Sequence, residues 1–171
     1  MQFPKNAIRR RVAVQDEDKS RTFSGELARA PIGGGGGTLF FIGMPGAGRR
    51  ELARAAALDL GLDYVEAGTR QSLEAALAAP GQGASGKAVA VTGADLDDWT
   101  VKLMRESGKV FYIMTVAPIL AKRLGDLSRL DGLIAEVERL EPLFMRAAHF
   151  VMPLAATPEE MLEDVREKAR L

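Results

Sequence analysis

The stretch Leu39–Gly61, LFFIGMPGAGRRELARAAALDLG, carries the densest chemistry in the chain. Gly43, Met44, Pro45, Gly46, Ala47 and Gly48 fit the first six places of the phosphate-loop template G-x-x-x-x-G-K-[ST]. Glycines at those places let backbone amides curl around a phosphate. The helix that follows aims its N-terminal amides and partial positive charge at the same point. The last two places depart from the template. Arg49 stands where the lysine is expected; it keeps the charge, can grip a phosphate as a fork, and is the candidate catalytic cation. Arg50 stands where a serine or threonine hydroxyl would ligate Mg²⁺, and a guanidinium cannot ligate a metal. Gly43 through Arg50 is therefore the expected phosphate-binding set, and the bland alternative is a glycine-rich turn without a ligand. A rival reading takes Gly46, Gly48 and Glu51 as G-x-G-x-x-G, with Glu66 about 20 residues on as a ribose-binding acid. Its third glycine is missing, and Glu51 would set a negative charge beside the pyrophosphate.

Such a loop works only between a strand and a helix, and the surrounding pattern supplies both. TLFFIG reads as a buried strand and RRELARAAALDLG as a helix with a glycine stop. Strand signals recur in DYVEA, KAVAVTG, KVFYIMTV and HFVMPL. Helix signals recur in SLEAALAAP, DLDDWTVKLMRESG, APILAKRLGDL and DGLIAEVERLEPLFMRAA, the last containing Pro142. TPEEMLEDVREKARL closes the chain as a helix with Thr157 as N-cap, Pro158 in its first turn and Glu160 completing a capping box. Alternation of this kind predicts an α/β fold with a parallel sheet covered on both faces.

The chain has 171 residues, of which 47% are hydrophobic, enough for one well-buried domain. Lys and Arg number 23 and so do Asp and Glu, so no global field draws the chain to nucleic acid or an anionic membrane. There is no cysteine for a disulfide or thiolate site, no run long enough to span a bilayer and no signal-peptide core in MQFPKNAIRRRVAVQDEDK. A cytoplasmic protein is expected. Gly33–Gly37 reads as a flexible linker, dividing residues 1–37, an N-terminal extension, from a domain at 38–171. Arg9–Val14 is a candidate short strand, and the extension is a candidate docking segment for an unknown protein partner.

Three blocks in order resemble the shikimate kinase family, whose members phosphorylate a hydroxyl of shikimate using ATP and Mg²⁺. They are LFFIGMPGAGRRELARAAALDLGLDYVEAG, then GKAVAVTGAD with LMRESGKVFYIMTVAPILAKRL, then LIAEVERLEPLFMRAAHFVMPLAATPEEMLEDV. The resemblance implies a three-layer P-loop kinase-like fold with a five-stranded parallel sheet in the order 2-3-1-4-5. It implies ATP or ADP as the ligand.

Residue by residue, the family's chemistry carries over poorly. The phosphate-loop lysine falls on Arg49 and the Mg²⁺ hydroxyl on Arg50. The motif D-[TS]-D falls on Glu66, Ala67 and Gly68, leaving Glu66 as the one candidate metal ligand and no base at Gly68. The triple-glycine turn falls on Gly93, Ala94 and Asp95, and the arginine of R-x-P-L-Y on Leu140. The substrate-binding insertion is shortened to one helix between Gly68 and Lys87. The lid is shortened to AKRLGDLSRLDG, with Arg123 and Arg129 as candidate remnants of nucleotide-facing arginines.

The leading expectation is thus a catalytically defective relative that binds a nucleotide or phosphate, with Mg²⁺ in doubt. Arg50 either neutralises phosphate near the vacated Mg²⁺ position or points to solvent. The alternatives are an active ATP-dependent small-molecule kinase and a dinucleotide-binding protein. His149, the sole histidine, reads as structural; Asp95, Asp97 and Asp98 as helix N-terminal acids; Trp99 and the methionines as core.

Overall fold

The computed structural model describes residues 37–78, 86–93, 96–152 and 156–171. The stretch Arg9–Val14, four of the five linker glycines, Pro80, the loop at 81–85, Ala94, Asp95 and residues 153–155 lie outside them. Five strands are described: β1 (Thr38–Ile42), β2 (Asp63–Ala67), β3 (Lys87–Val91), β4 (Gly108–Ile113) and β5 (Phe150–Met152). They form one sheet in the order β2-β3-β1-β4-β5, parallel throughout. Six α-helices connect or follow them: α1 (Arg49–Leu60), α2 (Arg70–Ala78), α3 (Asp98–Ser107), α4 (Ala117–Leu124), α5 (Leu130–Ala147) and α6 (Pro158–Lys168).

The central strands read as continuous apolar runs because both their faces are covered. Leu39 to Ile42, Ala88 to Val91 and Val110 to Ile113 are all buried. Right-handed crossovers in this strand order place α1 opposite α2, α3 and α5. Accordingly α1 packs with α6, and α5 packs with α3 and α4. Helix α5 buries Leu133, Leu140, Phe144 and Ala147 on one side and runs through Pro142, which removes a single interior hydrogen bond.

Local signals act where they were read. The Thr157 hydroxyl accepts from the Glu160 amide, and the Glu160 carboxylate accepts from the Thr157 amide. Asp97 caps α3 in the same way with Thr100, and Asp98 pairs with Arg146 at 2.7 Å. These two acids therefore serve the helix start. Trp99 corrects an expectation: it is 38% exposed rather than in the core, with the Arg70 guanidinium stacked 3.7 Å from its ring centroid. Met145 is exposed as well, while Met44, Met104 and Met152 are buried.

At the opposite edge from the phosphate loop, basic side chains finish three helices. Lys87 donates to the Ala76 carbonyl of α2. Arg105 donates to the carbonyls of Arg146, in the last turn of α5, and Ala148, its C-cap, at 3.1 and 3.0 Å. Lys109 donates to Lys168 and Ala169 at the end of α6, at 2.8 and 3.0 Å. A helix C-terminus has unpaired carbonyls and partial negative charge, so each cation satisfies both.

His149 extends the β4–β5 pairing by one residue. Its amide donates to the Val110 carbonyl at 2.8 Å, and its Nδ1 accepts from the Val110 amide at 3.0 Å. An accepting Nδ1 carries no proton. Burial, then the charges of Arg105 and Lys109, push the imidazole pKa below its ordinary value. A pKa lower in the folded chain gives stability that is present above the unfolded value of about 6.5 and is lost as the pH falls toward the folded value. The melting temperature is therefore expected to hold above pH 7 and to drop as the pH falls below about 6.5. His149→Gln should flatten that step; a wild-type curve level to pH 5 would refute the assignment.

Candidate functional site at the phosphate loop

β1 ends at Ile42, and the chain turns through Gly43–Gly48 into α1. Gly48 is the N-cap, at φ +95°, a conformation that disfavours any side chain. It offers no side-chain cap, so the amides of the first turn of α1 are left for water or an anion. A cavity of about 520 Å³ opens on this turn, within the size range of small-ligand sites. Pro45 through Leu52 line it on one side, with Ala55, Arg123, Pro158 and Met161 around the rest.

Six of the eight expected phosphate-binding residues, Pro45 through Arg50, meet at this cavity. The other two lie beneath it. Met44 is buried in the core, and Gly43 abuts Ile113, whose carbonyl oxygen would stand 2.9 Å from a Cβ there.

Arg49 is only 6% exposed. Its guanidinium donates to the Gly43 carbonyl at 3.4 Å and to the Thr92 hydroxyl at 3.5 Å, tying the ends of β1 and β3 together. Among the described residues its Nε is the one buried side-chain nitrogen or oxygen with no hydrogen-bond partner. Burial, then the neighbouring Arg50, lowers its pKa, yet a guanidinium keeps its charge at neutral pH.

Arg123 reaches back from α4 and donates to the Gly46 carbonyl at 3.1 Å. Arg129, the other candidate from the shortened lid, ends a 3₁₀ turn (Leu127–Arg129), is exposed and is not among the cavity residues. Pro158 and Met161 enter from the first turn of α6, which a paired Arg166–Asp59 contact at 2.8 Å holds against α1. No local signal marked these two, because their role comes from helix packing across the sheet.

Glu66 lies at the end of β2 and is engaged by three neighbours. Tyr64 donates its hydroxyl at 2.6 Å, Arg54 stands at 3.4 Å and Arg50 at 3.5 Å. The Tyr64 hydrogen bond, reinforced by the charges of Arg50, Arg54 and Arg49, holds the carboxyl below its usual range. Mg²⁺ requires near-octahedral oxygen ligation, usually from carboxylates and a hydroxyl beside the phosphates. One arginine-paired carboxylate, with Arg50 at the hydroxyl position, does not fit Mg²⁺.

Among the described residues, little space is left at the β2–β3 end of the same sheet edge. A Cβ on Gly93 would lie 2.8 Å from the Phe144 ring and 3.4 Å from Leu140. Both side chains are buried, and the Phe144 ring packs 5.1 Å from that of Tyr112. The space left between Ala67, Gly68, Thr92 and Leu96 is about 10 Å³, room for no more than a water molecule. Arg70, stacked on Trp99, also lines it.

No family model matches the chain. It is 27% identical over 168 residues to shikimate kinase 2 of Serratia proteamaculans, covering 78% of this chain and 96% of that protein. It is 27% identical over 161 residues to shikimate kinase 2 of Yersinia enterocolitica, covering 75% and 92%. Among solved structures, a shikimate kinase from Bacteroides thetaiotaomicron superposes with a TM-score of 0.64 at 17% identity, over 78% of this chain and 98% of that one. One from Acinetobacter baumannii in complex with shikimate gives 0.58 at 14% identity, over 77% and 89%. The chain is thus similar in sequence to shikimate kinases and shares their fold, a five-stranded parallel sheet in the order 2-3-1-4-5 flanked by helices.

The contact between α5 and β3 gives a stability test. Phe144→Ala removes a ring that fills the space over Gly93, and a loss of about 3–5 kcal/mol in urea unfolding is expected. A loss below about 1 kcal/mol would mean that the site collapses and the ring is not its filler.

Proposed function

We propose that this chain binds the phosphates of ATP or ADP at the Pro45–Arg50 turn and does not transfer a phosphoryl group to shikimate. The observation that carries the reading is the contrast along one sheet edge. The loop side holds a cavity of about 520 Å³, while the space between Ala67, Gly68, Thr92 and Leu96 is about 10 Å³ and Leu140 and Phe144 pack against Gly93. Arg49, Arg50 and Arg123 supply positive charge around the turn, and Leu52, Ala55, Pro158 and Met161 offer an apolar wall suited to a base. Phosphoryl transfer also needs an acceptor held in line, a base and charge neutralisation by metal. Gly68 stands where the family's base is expected, and the single carboxylate nearby is engaged by arginines. The relationship to shikimate kinases supports the ligand class; the filled second half of the edge argues against the acceptor.

Calorimetry and thermal shift with ATP and ADP test the binding. A nucleotide in hundredfold excess over its Kd should add about 2.7 kcal/mol of apparent stability. Arg123→Ala should weaken binding about tenfold, the scale of one charge-assisted contact. ADP release from ATP should not rise on adding shikimate. Shikimate-dependent turnover would overturn the proposal, and so would the absence of any nucleotide binding.

A further inference from the structure

The misfit between this site and Mg²⁺ leads further, on the reading of the cavity as a phosphate site. We infer that Arg50 itself takes the part of the divalent cation, so that the chain binds metal-free di- and triphosphate anions.

Three observations converge on Arg50. It sits in the first turn of α1, at the position that would carry the metal-binding hydroxyl, and it lines the cavity. It is also the least committed cation there. Arg49 is buried and tied to Gly43 and Thr92, and Arg123 holds the Gly46 carbonyl. The Arg50 side chain is 54% exposed, and its contact with Glu66 is a 3.5 Å ion pair open to water. Such a pair is weak, and a doubly charged phosphate oxygen set close to the guanidinium replaces it readily.

The acid that Arg50 would leave behind is not stranded. Glu66 keeps the Tyr64 hydrogen bond at 2.6 Å and the Arg54 pair at 3.4 Å, and Arg54 is steadied by the Tyr64 ring, 5.1 Å from its guanidinium carbon. Glu66 thus works as a perch for Arg50, not as a ligand for a metal. The cavity wall carries Arg49, Arg50 and Arg123 against the single carboxylate of Glu51. A free triphosphate suits that balance. A triphosphate already neutralised by Mg²⁺ brings less negative charge and sets a hydrated dication against Arg50.

The test is calorimetric titration of the full chain with ATP, once in EDTA and once in excess Mg²⁺. Affinity in EDTA should equal or exceed that in Mg²⁺, by up to about tenfold. Arg50→Met keeps the aliphatic stem and should weaken ATP binding in EDTA by at least about tenfold. Its melting temperature without nucleotide should match the wild type, since Arg50 is exposed. Binding that requires Mg²⁺ would overturn the inference and leave the phosphate site standing. Arg50→Met binding as tightly as the wild type in EDTA would do the same. No binding in either buffer would remove the phosphate-site reading and this inference together. Should the variant not fold, the wild-type comparison of the two buffers decides alone.

Discussion

The pairing of β1 on both of its sides is the constraint on which the rest of the molecule depends. Its backbone is buried, so its amides and carbonyls must find partners in β3 and β4. Parallel register then brings the carboxyl ends of three strands to one edge. Gly43, Thr92 and Ile113 become neighbours there although they are far apart in the chain. Arg49 can bridge Gly43 and Thr92 only because β1 and β3 end side by side. The shape of the phosphate loop is thus set from below, by strand pairing and by the contact of Gly43 with the Ile113 backbone.

That shared edge is built two ways. Over β1 and β4 the elements diverge, and the first turns of α1 and α6 leave a basin between them. Over β3, helix α5 lowers Leu140 and Phe144 onto a glycine. The difference is one of side-chain type on a common backbone plan. Apolar groups at those two places turn a rim that would have to stay wet into a continuation of the core, with the Tyr112 ring tilted against that of Phe144. The related structures superpose on this frame with TM-scores of 0.64 and 0.58, so the plan of sheet and helices is shared at the level of the fold.

Much of this frame was legible in the chain. Buried strands are short apolar runs, and helices announce themselves by spacing and by stops such as Gly61, although the helix read through APILAKRLGDL ends earlier, at Gly125. The capping box at Thr157 and the phosphate-loop glycines are local patterns, read within a few residues. The contacts that give the site its character join distant segments. Arg50 and Arg54 meet Glu66 across the α1–β2 connection, and Met161 reaches the loop only after the last strand has been placed. Nothing in the local pattern tells which arginine is buried and which is free. Trp99 shows the same limit in reverse. An aromatic at helical spacing suggested the core, but its place in the first turn of α3 faces outward, toward Arg70.

The contact of α5 with Gly93 also resists single changes. An arginine placed at position 140 would carry its charge into a buried site walled by Phe144. A buried charge without a partner is among the most destabilising single changes a core can suffer. Removing Phe144 first would leave a void instead. Either single change that would open space over Gly93 therefore passes through a less stable chain, so the packing of Leu140 and Phe144 acts as a latch that no one substitution lifts without loss.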